Sequence, residues 1–335
     1  QKFSDFFFTS YKLFNLDPTV GLTFGMEREV WRLKKEEKLK MLRKYISQTT
    51  NNSDDHGPIV HVNRFGRSSC VFVQICEQLR DRSVNELLTK RAWKVEFLGE
   101  GSIDAGGPFN ESISHLSSEI QSGKVPIIKP TPNARNKSGN GQDCIFPVSS
   151  SREGTLFRFL GKLFGISIRA HIPLSLQFPH CFWKLLLGHP LKIEDLKEID
   201  EVFVTSHQLL LRDEIEETDF NALPLVNFPP IYVNGKEVRL KFSNRRFYVK
   251  SALALRLHDW DFAVKEIQEG LGLFFPSSLL RLFSPSQLGV LVCGVPEVDW
   301  DLLRNCSSFT GGLEADSPVV IWLWEVLKGF SADDG

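Results

Sequence analysis

The chain has 335 residues, 42% hydrophobic and 24% charged, with a formal net charge of −1. That balance suits one large soluble domain or two modest ones, and it gives no overall pull toward nucleic acid or an anionic membrane. Cys70, Cys76, Cys144, Cys181, Cys293 and Cys306 lack the paired spacing of a structural zinc site, so reduced, mostly buried thiols in a cytoplasmic or nuclear protein are expected, with no metal and no cofactor.

Nothing at the start reads as a signal peptide: Phe6-Phe7-Phe8 is too short for an apolar h-region and is flanked by Asp5, Thr9 and Ser10. The longest apolar runs, such as Val319 to Trp324, fall far short of the roughly 20 residues that span a bilayer. A first residue of Gln rather than Met leads us to expect a piece of a longer protein. Residues 24–48 are predicted as a long charged helix, with Arg32, Lys34, Lys35, Lys38, Lys40, Arg43 and Lys44 interleaved with Glu27, Glu29, Glu36 and Glu37 as a solvated face. A polar loop over 47–58 follows, then an apolar element at 70–80 that fits either a buried strand or a short helix. Ala92 to Leu98 alternates as a strand with one wet face. After a glycine-rich turn, Pro108 suits the first position of a helix that carries Phe109, Ile113, Leu116 and Ile120 on one side.

A loop over 129–143 leads to a helix starting near Thr155, striped by Leu156, Phe159, Leu160, Leu163 and Phe164. Residues 178–233 read as a separate subdomain with short helices around 182–187 and 201–211. Ile231 to Val233 and Val238 to Phe242 flank Asn234-Gly235, a hairpin signal. One long helix is then expected, with Leu253, Leu257, Trp260, Val264, Ile267 and Leu271 on one face. Apolar segments at 276–283 and 286–293 follow, then a small polar hinge at 307–317 and a final amphipathic helix at 318–328.

Two enzyme classes fit poorly. Gly99-Glu-Gly-Ser-Ile-Asp-Ala-Gly-Gly107 sits where a phosphate loop would, but has neither Gly-x-Gly-x-x-Gly spacing nor a Gly-Lys-Ser/Thr ending. Positive φ at the glycines and backbone bonds to Asp104 explain it more simply. A nucleophilic triad lacks its Gly-x-Ser-x-Gly turn, and His115 and His171 read as packing or surface residues.

Taken together, the pieces resemble the HECT ubiquitin ligases, and within them the large HERC-type ligases. The resemblance runs from about Asn63 onward. It rests on the 99–107 segment, Thr131-Pro-Asn-Ala-Arg135, Phe159-Leu-Gly-Lys-Leu-Phe-Gly165, Trp183-Lys-Leu-Leu186, Phe242-Ser-Asn-Arg-Arg246, Arg256-Leu-His258, Cys293-Gly-Val-Pro-Glu297 and Ile321-Trp-Leu-Trp-Glu-Val326. Such a domain implies an α+β fold, mainly helical with small β elements. By resemblance, 1–62 is a helical extension and 63–306 the amino-terminal lobe, with a conjugating-enzyme-binding subdomain at 178–233. The hinge is 307–317, and 318–335 begins a truncated second lobe. On that reading Ile321, Trp322, Trp324 and Val326 lack their packing partners.

The implied activity is transfer of ubiquitin from a conjugating enzyme to a ligase cysteine and then to a substrate lysine. The implied partners are therefore the conjugating enzyme, ubiquitin and an unidentified protein substrate. Phe203, Ser206, His207 and Leu210 share one helix face and, with Tyr248, are the expected docking anchors. The plain alternative is that Phe203 and Leu210 are subdomain core. The family nucleophile sits in a Leu-Pro-x-x-x-Thr-Cys-Phe context that none of the six cysteines matches, so the catalytic cysteine is expected beyond Gly335. A rival reading is a non-catalytic module that only captures conjugating enzymes.

Overall fold

Apolar spacing at helical or strand period decides most of the elements. The computed structural model describes residues 34–52, 55–65, 70–100, 107–224, 228–295, 300–309, 311–312 and 314–329. Two compact units emerge, 1–292 and 293–335. The first begins with α1 (Lys35–Thr49), β1 (Ile59–Val62), α2 (Val71–Leu79), α3 (Val84–Leu87), β2 (Lys94–Phe97), α4 (Gly107–Gln121), β3 (Ile128–Pro130), α5 (Pro132–Asn136), β4 (Ile145–Pro147) and α6 (Gly154–Ala170). It continues with α7 (His180–Leu186), α8 (Ile193–Leu196), α9 (Glu201–Leu209), α10 (Glu217–Asn221), β5 (Ile231–Val233), β6 (Lys236–Val238), α11 (Arg245–Leu257), α12 (Asp261–Gly272), α13 (Ser277–Leu280) and α14 (Pro285–Cys293). The second unit holds α15 (Trp300–Cys306) and α16 (Pro318–Gly329). The fold is α+β and mainly helical, as expected.

The centre of the large lobe is α6, apolar almost all round and therefore buried from Phe157 and Phe159 through Ile168. It packs chiefly on α12, where glycines on both helices let the backbones meet. His171 ends α6 in the left-handed region at φ 55°, a place more often held by glycine. Rings from several elements stack behind it: Phe164 meets Phe182 at 6.2 Å and Phe178 lies on Phe182 at 4.1 Å.

Residues 70–80 resolve as a helix, α2, whose first amides Val71 and Phe72 each donate to the Glu119 carboxylate of α4 at 2.9 Å. β1, which the pattern did not reveal, pairs in parallel with β2. At its outer edge the side-chain amides of Gln74 and Gln78, one helical turn apart on α2, take the place of a neighbouring strand. Gln78 accepts from His61 N and donates to His61 O, while Gln74 does the same for Asn63. The β2 end of the glycine-rich turn is held by Arg64, which pairs with Glu100 and Glu111, meets His115 Nε2 at 2.9 Å, and lies over the Phe97 ring at 3.9 Å. Asp104 lies outside the described residues.

Three expectations change. The charged helix is described from Lys35 onward, and it is not wholly solvated: Leu42 and Lys38 are buried, and burial lowers the Lys38 pKa. Arg169 of α6 donates to Thr49 Oγ1 at 2.8 Å and Thr50 Oγ1 at 2.9 Å, which ties α1 to the lobe. The second hairpin strand starts at Lys236, because Asn234 and Gly235, at φ 50° and 74°, form the whole loop. The long helix is two, α11 and α12, broken at 258–260; both bury their apolar stripes, so the spacing continues across the break and hides it. In the second unit Val320 and Trp324 are the buried side of α16, while Ile321, Trp322 and Val326 are exposed. No helix among the described residues is long and apolar enough to cross a membrane.

Candidate functional site

The expected docking segment, 178–233, is divided between two cores. Phe178, Phe182 and Trp183 pack on Phe164 in the large lobe. A second, smaller core gathers Leu210, Phe220, Phe228, Leu240, Tyr248, Val249, Ala252 and Leu253, with Phe203 and Phe242 half-buried against it. Its floor is α11 and one wall is α9. The short α10 contributes Phe220 to it, and the hairpin β5–β6 packs Ile231 and Val238 against it.

The start of α9 is built with care. Asp200 caps it, its Oδ1 accepting from Phe203 N at 3.0 Å. Buried Asn133 of α5 accepts from Glu201 N at 2.8 Å and donates to Lys197 O at 2.8 Å and Asn140 O at 3.1 Å. This gives Thr131-Pro-Asn-Ala-Arg135 a physical role: Thr131 caps a one-turn helix that presents Asn133 to the next element.

Of the five expected anchors, His207, Leu210 and Tyr248 are buried, while Phe203 and Ser206 are half-buried. Exposed anchoring at the first three is thereby corrected. His207 is enclosed by rings, with Phe203 at 4.1 Å, Phe228 at 5.1 Å, and Tyr248 stacked at 6.1 Å with 9° between planes. Its Nδ1 donates to Phe203 O at 2.8 Å, and its Nε2 is buried without a hydrogen-bond partner. Burial lowers its pKa, so the ring is held neutral. Tyr248 Oη donates to Pro229 O at 2.6 Å, and burial raises the phenol pKa. These groups shape the wall from inside. The apolar side chains that face solvent are Val202 and Leu209 on α9, Leu211 just after it, Tyr232 on the hairpin, and Phe247 and Leu255 on α11. The spacing of Val202 and Leu209, seven residues apart, is the signal that could have found the outer stripe.

All six cysteines are unbridged. Cys76, Cys144 and Cys181 are buried, and desolvation pushes the first two up to about 12 and the third higher still. Burial also raises Cys70. Cys293 is half-buried; Cys306, at the end of α15, is exposed. Among the described residues no group of three or more His, Cys, Asp or Glu is placed to hold a metal ion.

Comparison with known proteins agrees with the architecture. The profile of the HECT-domain (ubiquitin-transferase) family matches residues 114–334. The E3 ubiquitin-protein ligase HERC2 of Mus musculus is 34% identical over 342 residues, and that of Homo sapiens 33%; each alignment covers 95% of this chain. The E3 ubiquitin-protein ligase HACE1 of Xenopus tropicalis is 27% identical, over 82% of the chain and 30% of its own length. The chain spans only 7% of the length of the two HERC2 proteins. With the profile covering well over half of its residues, the chain belongs to the HECT-domain ubiquitin-transferase family.

Proposed function

We propose that this chain is the part of a HECT ubiquitin ligase that docks a charged ubiquitin-conjugating enzyme, and that the protein carrying it transfers ubiquitin to a substrate lysine. The carrying observation is the second core: a small subdomain with its own interior that presents Val202, Leu209 and Phe247 to solvent. Exposed apolar side chains above a rigid aromatic floor suit a protein partner better than a small molecule. Phe203 and Ser206, half-buried on α9, border that surface, with His207, Leu210 and Tyr248 supporting it from below. Exposed Glu214, Glu216, Glu217 and Asp219 outnumber exposed Arg212 in one segment, while Asp213 pairs with Arg246, and the excess of negative charge favours a basic partner face.

In the transfer, a ligase thiolate attacks the ubiquitin thioester carbonyl, forming a new C–S bond as the conjugating enzyme's thiolate leaves. A lysine amine then displaces the second thiolate, forming an amide and releasing a proton. We place the nucleophile outside these 335 residues. Thiols held at about 12, such as Cys76 and Cys144, are too weakly ionised to attack near neutral pH, and neither Cys293 nor Cys306 follows a Thr.

The test mixes the chain with a charged conjugating enzyme and reads non-reducing gels and binding. Binding weakened by Val202→Asp or Leu209→Asp, with no reductant-sensitive adduct on the chain, supports the reading. Absence of binding overturns the docking site, and an adduct lost in Cys306→Ser overturns the placement of the nucleophile.

A further inference from the structure

The polypeptide passes from the small core to the large one within a few residues. Leu253 belongs to the subdomain core, whereas Trp260 donates its indole N–H to Pro147 O at 3.1 Å and packs on Phe146 at 4.9 Å, both in the large lobe. Arg256 stands at that crossing. Its guanidinium lies 4.9 Å from the centre of the Trp260 ring and 5.5 Å from that of Phe203 of α9. Nη1 donates to Asp259 Oδ2 at 2.7 Å, and Nη2 lies 3.5 Å from Oδ2 of Asp200, the cap of α9. Nε is buried and has no hydrogen-bond partner, so rings and carboxylates hold the group.

We infer that Arg256 is a positioning residue for ubiquitin transfer: it sets the angle of α9, and of whatever docks on α9, against the large lobe. The inference rests on the docking reading above. Asn133 of the large lobe fixes where α9 begins, through its bonds to Glu201 N, Lys197 O and Ile199 O, and Arg256 is the side chain that joins the rings and acids on the two sides of the crossing. One planar cation meets both rings and both acids at once, a combination an ammonium does not reproduce. The consequence for chemistry is geometric. Thioester exchange needs its reacting atoms about 3–3.5 Å apart, and a small rotation at the joint is magnified across a docked protein.

Arg256→Lys keeps the charge and removes the planar fork. In the natural protein containing this chain, single-turnover discharge of the charged conjugating enzyme at saturation is expected to fall about tenfold to a hundredfold, with affinity unchanged. A variant that discharges normally overturns the inference, whereas a wild type that binds no conjugating enzyme overturns the docking reading instead. A second measurement is independent of any partner: the distance distribution between spin labels on non-natural amino acids at Gln208 of α9 and Ser114 of α4, both exposed. Arg256→Lys should broaden it while the amides of Val249 and Leu253 stay protected. An unchanged width, or loss of that protection, shows that Arg256 does not set the angle or merely holds the subdomain folded.

Discussion

The two cores of the first unit are held together differently. In the large lobe α6 and α12 meet backbone to backbone: a Cβ on Gly161 would lie 2.0 Å from Ile267 O, and one on Gly270 1.9 Å from Arg158 O. Around them the buried side chains are mostly aliphatic or aromatic, and fit depends on shape. The small core instead closes around His207 and Tyr248, two groups with polar demands. Shape complementarity is indifferent to pH. A core of aromatic rings around a buried imidazole adds a dependence on pH to the same intolerance of added volume.

The largest effect is expected from Gly270→Ala, whose methyl group forces the two helices apart. Loss of about 3 kcal/mol or more is expected, read by thermal or urea denaturation. A cost under about 1 kcal/mol would mean that the two helices can shift to admit the methyl group and that their backbones need not meet so closely. Tyr248→Phe comes next. It keeps the ring on His207 but removes the donor to Pro229 O, which sits on an exposed residue, costing about 0.5–1.5 kcal/mol. Amide exchange should quicken in α11 and not in α6; equal quickening in both would show that the cores unfold as one.

The pH response sharpens the contrast. The folded pKa of His207 lies below its ordinary 6.5, so the unfolded chain takes up the proton first. The contribution of the neutral ring is fully present above about pH 6.5 and is lost as pH falls below it toward the folded value. The urea midpoint should therefore drop more between about pH 7.5 and about pH 5.5 in the wild type than in His207→Gln. Equal drops would show that the buried ring accepts its proton in place. The smallest effect on stability is expected from Val202→Ser and Leu209→Ser, within about 0.5 kcal/mol because both side chains face solvent. Each should nevertheless weaken conjugating-enzyme binding by about 1 kcal/mol or more, measured by titration.

Much of this fold is legible beforehand because its elements are long and strongly patterned. The stripes of α4 and α6, the short α9 and the Asn234-Gly235 turn follow from spacing and turn chemistry alone. β1 escapes because its four residues gain their strand character from β2 and from the Gln74 and Gln78 side chains, partners distant along the chain. The break between α11 and α12 escapes because both helices bury one stripe and the interval preserves its phase.

The order of short motifs along the chain was enough to identify the family, since many weak matches in sequence reinforce one another. The face of α9 was not. Two sets of helically spaced side chains run along it, Phe203, His207 and Leu210 with buried Val204 beside them, and Val202 with Leu209, one residue or about 100° apart. Periodicity finds both equally well. Which one turns inward depends on Phe228, Tyr248 and Leu253, brought there by elements later in the chain, and on the Asp200 and Asn133 bonds that hold the helix at that rotation. Local pattern carries the period of a helix, but its rotation about its own axis comes from what it packs against.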